Sequence, residues 1–297
     1  MSFSAEVKNE LVNKEWENTC CKKSLLYGMA LFGKQFSYRG ITFQTENEGT
    51  VLLFQALAEE LCNVRCRIRT SPSGKSFTIE IADAATCARL MNYFAHDEHE
   101  TSLKINHTNF TCGACTNAFL AGVFLSCGTV SSPEKDYHLE FIIPYLNLTK
   151  SLITLLQETE LEPKLSNRKG YHIVYFKESE AIEDCLYIIG ASASMFKMMN
   201  VKIVKEIRNS ANRRANCETA NIEKTVNAAM PQIEAIVKIK KKKGLETLSP
   251  ALREMARLRL ENPELSLQEL AGLFNPPLTK SGVNHRLNRL IKIANEL

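Results

Sequence analysis

No stretch of this 297-residue sequence approaches the roughly 18–20 consecutive apolar residues that a membrane-crossing helix requires. The opening MSFSAEVKNEL also lacks the apolar core of a secretory signal. Both absences lead us to expect a protein of the cytoplasm with no membrane partner. Ten cysteines are present, but without an export signal a disulfide framework is not expected, and reduced, mostly buried thiols are. A single Cys-x-x-Cys pair occurs, Cys112 to Cys115. The pair has metal-ligand spacing, and Cys20, Cys21 or the histidines His96, His99 and His107 could complete a four-ligand zinc site with it. A second such pair is missing, so the expectation is no metal and no cofactor, with these cysteines packed as small residues.

Acidic residues thin out toward the C-terminal end. Residues 201 to 297 hold 10 Asp/Glu against 18 Lys/Arg, whereas residues 1 to 200 hold 23 against 19. A surface with that asymmetry attracts a polyanion, because each cation that neutralises a phosphate releases a condensed counterion. An ordinary solvated basic helix has the same composition, so charge alone does not decide.

The pattern of apolar residues divides the chain. Val7, Leu11 and Val12 recur at helical spacing within Phe3 to Trp16. Ser24 to Phe36 is an apolar segment with Gly28 and Gly33 among large residues, followed by a strand near Ile41 to Gln44 and a helix over Val51 to Cys62. Val64 to Thr70 and Phe77 to Ile81 flank Ser71-Pro72-Ser73-Gly74 as a hairpin, and a helix covers Ala85 to Phe94. The order then restarts with apolar Thr116 to Cys127, a strand at His138 to Ile143, a helix at Leu146 to Glu158, a hairpin across Arg168-Lys169-Gly170 and a helix over Glu180 to Met195. This is an internal repeat of about a hundred residues, 1–105 and 106–200. Two such α+β halves can pack their glycine-bearing helices about a pseudo-twofold axis and splay their sheets into a saddle. Residues 201–247, rich in Asn and Arg and ending in Lys240 to Lys243, are expected as a polar, basic linker with a helix.

Residues 248–297 predict an all-α module. Pro250 opens a helix that Asn262-Pro263 stops; Ser266 and Glu269 form a capping box on a second, which Asn275-Pro276-Pro277 ends. A third opens near Thr279 or Ser281 and buries Val283, Leu287, Leu290, Ile291 and Ala294. Two short helices, a turn and a longer cationic helix match a helix-turn-helix, whose last helix lies in the major groove. Lys280, Ser281, Asn284, His285, Arg286 and Arg289 are the candidate DNA-binding residues, with Asn284, His285 and Arg286 placed on bases. A solvated helix face is the alternative. Auxiliary phosphate contacts are expected from Arg213, Arg214 and Lys240, Lys241, Lys242 and Lys243, the lysines serving equally well as a solubilising hinge. Arg65, Arg67 and Arg69 alternate onto one sheet face, where they meet either DNA or the protein's own acidic residues.

The segment Leu120-Ala121-Gly122-Val123-Phe124-Leu125-Ser126-Cys127-Gly128 resembles the LAGLIDADG motif of homing endonucleases, with a weaker copy at Leu26 to Gly33. In that family the acidic residue before the final glycine holds the divalent metal that activates water. Here the two positions are Cys127 and Gly33, and a hard cation needs oxygen ligands that neither supplies. The resemblance therefore implies the fold without the chemistry, and no catalytic residue is expected.

The whole chain resembles the WhiA family of sporulation and cell-division regulators. The likeness is carried by MSFSAEVKNEL, Cys20-Cys21, FLAGVFLSCGTV, the Arg/Asn-rich stretch and the tail LRLENPELSLQELAGLFNPPLTKSGVNHRL. It implies a degenerate LAGLIDADG-type domain over 1–200 joined to a helix-turn-helix similar to region 4 of sigma factors, with the reading helix at Thr279 to Asn295. The expected function is a non-catalytic, nucleoid-associated regulator of transcription, division or chromosome segregation that binds double-stranded DNA. An adaptor whose N-terminal domain binds a division or transcription protein is the alternative, and a metal-dependent endonuclease is disfavoured.

Overall fold

The apolar, glycine-bearing segments form the central helices of an α+β unit in the computed structural model, which describes residues 2–297. The first repeat runs α1 (Phe3–Val12), α2 (Thr19–Leu31), β1 (Gln35–Ser37), β2 (Gly40–Thr45), α3 (Glu48–Cys62), β3 (Arg67–Thr70), β4 (Phe77–Ile81) and α4 (Ala84–Tyr93). The second runs α5 (Cys115–Cys127), β5 (Gly128–Val130), β6 (Leu139–Ile143), α6 (Leu146–Glu158), β7 (Lys164–Arg168), β8 (Tyr171–Phe176) and α7 (Ser179–Ile189). The antiparallel sheets repeat one topology, β1-β2-β4-β3 and β5-β6-β8-β7. Strand alternation sets their inner faces: Leu139, Phe141 and Ile143 are buried, while Glu140 and Ile142 between them are half-buried.

α2 and α5 pack along their length, and the two motif glycines make this possible. A β-carbon on Gly28 would lie 2.3 Å from the Phe119 carbonyl oxygen, and one on Gly122 would lie 2.2 Å from that of Leu25. Tyr27 on α2 anchors the loop that follows α4. Its hydroxyl accepts from the Asn106 amide at 2.9 Å and lies 2.8 Å from His96 Nε2, while His96 Nδ1 meets Glu100 at 2.7 Å.

Several boundaries differ from the sequence expectation. α1 stops at Val12 and α2 begins at Thr19, five residues early, because Cys20 and Cys21 belong to its first turn. β3 begins at Arg67 and not at Val64. The helix expected over Glu180 to Met195 breaks at Gly190, in the left-handed conformation (φ 87°), and restarts as α8 (Ser192–Lys242). The start of α8 is capped by Glu10, whose carboxylate accepts from the amides of Ala193 (2.7 Å) and Ser194 (2.9 Å) and from the Ser194 hydroxyl (2.6 Å). The stretch expected as a linker is helical as part of α8 up to Lys242.

The chain divides into two compact units between Val204 and Lys205. In the second, α9 (Pro250–Glu261), α10 (Leu267–Gly272) and α11 (Lys280–Asn295) close around Met255, Ala256, Leu270, Ala271, Phe274, Val283, Leu287, Leu290 and Ala294. The end of α8 adds Ala235, Ile236 and Ile239 to this core. Among the described residues no helix is long and apolar enough to cross a membrane.

Candidate nucleic-acid interface

α10 and α11 are set by their caps. Ser266 accepts from the Glu269 amide at 3.3 Å, and Glu269 returns a bond from the Ser266 amide at 2.8 Å, a complete capping box. The Ser266 contacts hold the Glu269 carboxyl below its ordinary range. Thr279 caps α11 by accepting from the Gly282 amide at 3.1 Å. The loop before α10 is held from inside: Arg259 is fully buried and donates to the carbonyls of Leu265 at 2.8 Å and Asn262 at 3.3 Å. Burial lowers its pKa from the ordinary guanidinium value. Arg259 is thus a structural cation that no ligand reaches.

At about 100° per residue around α11, Val283, Leu287, Leu290 and Ala294 form the buried side, and Ser281, Asn284, His285, Asn288, Arg289 and Lys292 are exposed. Lys280 and Ser281 sit in the first turn, where Leu267, Thr279 and Asn284 complete the lining of a shallow groove. Arg286 stands apart from this set. It is half-buried on the flank, with its guanidinium 5.5 Å from the centroid of the Phe274 ring. Asn288 and Lys292 were not selected from the sequence, although the helical wheel through Ser281 and His285 passes through both.

The auxiliary residues fall elsewhere. Lys240, Lys241, Lys242 and Lys243 are exposed at the C-terminal end of α8, where cations favour the helix dipole, and Lys242 donates to the Leu297 carbonyl. Arg213 and Arg214 are exposed in mid-α8, and Arg214 pairs with Glu218 at 3.0 Å. On the first sheet Arg67 lies in register with Glu80 and Arg69 pairs with the Glu80 carboxylate at 2.9 Å. Arg65 precedes the strand and pairs with Glu59 at 3.2 Å. The second sheet repeats the arrangement: Arg168 and His138 both meet Glu140, at 3.4 and 3.0 Å.

At the positions that carry metal-binding carboxylates in the resembled nucleases, Gly33 follows the end of α2, where an added β-carbon would lie 2.8 Å from the Thr42 carbonyl oxygen. Cys127 ends α5, and burial pushes its thiol up to about 12, so it is protonated at neutral pH. Beside it the Lys8 ammonium donates to the Leu125 carbonyl at 3.2 Å, with its pKa lowered by burial.

Two family models match the chain: the WhiA LAGLIDADG-like domain over residues 116–208 and the WhiA C-terminal HTH domain over residues 211–294. Among curated proteins, "Probable cell division protein WhiA" of Caldicellulosiruptor saccharolyticus is 37% identical over 311 residues, covering 100% of this chain and 96% of that protein. The protein of the same name from Clostridium botulinum is 39% identical over 321 residues, covering 100% and 99%. Among solved structures, full-length WhiA from Thermatoga maritima superposes with a TM-score of 0.63 at 26% identity, covering 100% of this chain and 99% of that one.

Proposed function

This chain belongs to the WhiA family, and from that membership we propose that it is a non-catalytic regulator of transcription, cell division or chromosome segregation that reads duplex DNA through α11. The carrying observation is the exposed polar face of that helix: seven side chains able to bond bases or phosphates, on a helix capped by Thr279 and preceded by a capped α10 whose leading loop a buried arginine holds. Asn284, His285 and Asn288 supply the groups suited to base edges. Lys280, Ser281, Arg289 and Lys292, together with the helix N-terminus, suit phosphates. Arg286 orients the helix against Phe274 and contributes less to reading.

The saddle takes a different role in this proposal. Its arginines already face Glu59, Glu80 and Glu140, whose negative charges offset theirs and oppose the approach of phosphates. That favours a protein partner for the N-terminal unit. The absence of carboxylates at Gly33 and Cys127, with a lysine ammonium at the second position, supports the non-catalytic reading.

The test is binding of the full chain to duplex DNA over a salt series, with Mg²⁺ and supercoiled plasmid present. The expected result is a steep linear fall of log affinity with log salt, lost in an Asn284→Ala/Arg289→Glu/Lys292→Glu variant, and no nicking. Undiminished binding by that variant would remove α11 from the interface, and nicking would restore the nuclease reading.

A further inference from the structure

Two helices of the first unit begin side by side, and four cysteines lie at their starts. Cys20 and Cys21 occupy the first turn of α2, Cys115 opens α5, and Cys112 lies three residues before it. All four sulfurs lie within 4.8 Å of one another. Cys112 Sγ is 3.5 Å from Cys20 Sγ, 3.6 Å from Cys21 Sγ and 3.4 Å from Cys115 Sγ. Four thiolates each about 2.3 Å from a central ion define a tetrahedron with edges of about 3.8 Å. The cluster therefore has the dimensions of a tetrathiolate site and needs little movement to close on an ion.

Packing as small apolar residues does not account for the arrangement. Cys20 and Cys112 are only half-buried, and the four sulfurs converge on one another across 92 residues of sequence. The electrostatic setting suits an anionic complex. A divalent ion with four thiolates carries two negative charges, and here it would meet the positive ends of two helices, neither of which has a side-chain N-cap. The pair that the sequence lacks as a second Cys-x-x-Cys is supplied by the adjacent residues Cys20 and Cys21.

We propose that Cys20, Cys21, Cys112 and Cys115 together bind one thiophilic divalent cation, with zinc the best fit, as a structural site. Loading releases up to four thiol protons and moves no electrons. All four positions around the ion are filled by protein, which leaves none for an activated water. The ion would clamp the starts of α2 and α5, the helix pair that joins the two repeats. This inference stands whether or not α11 reads DNA.

The full-length chain, purified without metal-affinity steps under reducing, anaerobic conditions, is analysed by native mass spectrometry and elemental analysis. The expected result is one zinc per chain, released to a chromophoric chelator only after a mercurial blocks the thiols, and replaceable by cobalt with the thiolate charge-transfer bands of a tetrahedral site. Cys20→Ser and Cys115→Ser should each lose the metal, while Cys217→Ser, an exposed position on α8, should keep it. Wild-type protein that takes up no zinc when reduced and supplied with it would overturn the proposal, independently of how the variants fold. So would a disulfide among these four cysteines in the isolated protein, or an iron chromophore in place of zinc.

Discussion

Gly28 and Gly122 face each other reciprocally, each set against a backbone carbonyl of the other's helix, Phe119 for the first and Leu25 for the second. The obstructing atoms are backbone, held by the helices' own hydrogen bonds, so neither can swing aside as a side chain would. Gly28→Ala or Gly122→Ala must push the helices apart and is expected to destabilise the first unit by about 3 kcal/mol or more, beyond the usual overpacking range. Urea unfolding followed by tyrosine fluorescence measures this, and a loss under 1 kcal/mol, taken as roughly the bound for a tolerated core change, would mean that the helices are not locked here.

Along α11, position on the wheel separates two kinds of substitution. Lys292→Ala is expected to weaken DNA binding to about the same extent on all sequences and to reduce the salt slope by about one. Arg286→Ala is expected to cost about 0.5–1 kcal/mol of stability through the lost contact with Phe274, with a smaller effect on affinity. Paired titrations and melts distinguish these outcomes.

Much of this architecture was legible in the sequence because the signals were local. The Ser266/Glu269 box, Thr279 and the prolines at 250 and 263 mark the helices of the second unit, and the two apolar glycine-bearing segments mark the repeats. What was not legible depended on distant partners. β1 and β5 are three-residue strands, too short to show alternation, and exist because β2 and β6 offer them an edge. Arg259 reads in sequence as one more cation on a polar face, and only the loop carbonyls that fold over it turn it inward. The sequence leaves Cys20 and Cys21 open beside His96, His99 and His107 as partners of Cys112 and Cys115, and only the packing of α2 against α5 selects the cysteines.

Arg259→Ala removes the donor to Leu265 and Asn262, leaves their half-buried carbonyls without that partner and opens a cavity where the buried side chain stood. A loss of about 2–4 kcal/mol is expected, with DNA binding falling in proportion to the unfolded fraction at the assay temperature. Arg259→Lys should recover only part of this, since both bonds come from Nη1, which lies one bond farther along the side chain than a lysine ammonium reaches. Thermal denaturation of both variants checks the order.

Glu10 caps α8 from a separate helix through three bonds, so Glu10→Ala should cost about 1–2 kcal/mol, and Glu10→Gln less, since one amide oxygen can still accept. Hydrogen exchange at Ala193 and Ser194 reports the cap directly and should rise in both variants.

Arg67→Ala and Arg69→Ala are expected to leave DNA affinity within about a factor of two, since Arg69 is paired with the Glu80 carboxylate and Arg67 lies opposite Glu80 on the neighbouring strand. A tenfold loss in either would bring the first sheet into contact with DNA.

The middle of α8 has a thermodynamic character unlike the rest of the chain. Every residue from 206 to 224 is exposed, and this run includes Asn209, Asn212, Asn216 and Asn221, residues that favour caps and turns over helix interiors. Helices in proteins owe most of their stability to a packed face, and an unsupported run of this length is marginal in water. Its amides should therefore exchange fastest of any in α8, and its ellipticity should decline on gentle heating before either core melts. The chain would then lose helix in two stages, the first costing little because it exposes almost no apolar surface.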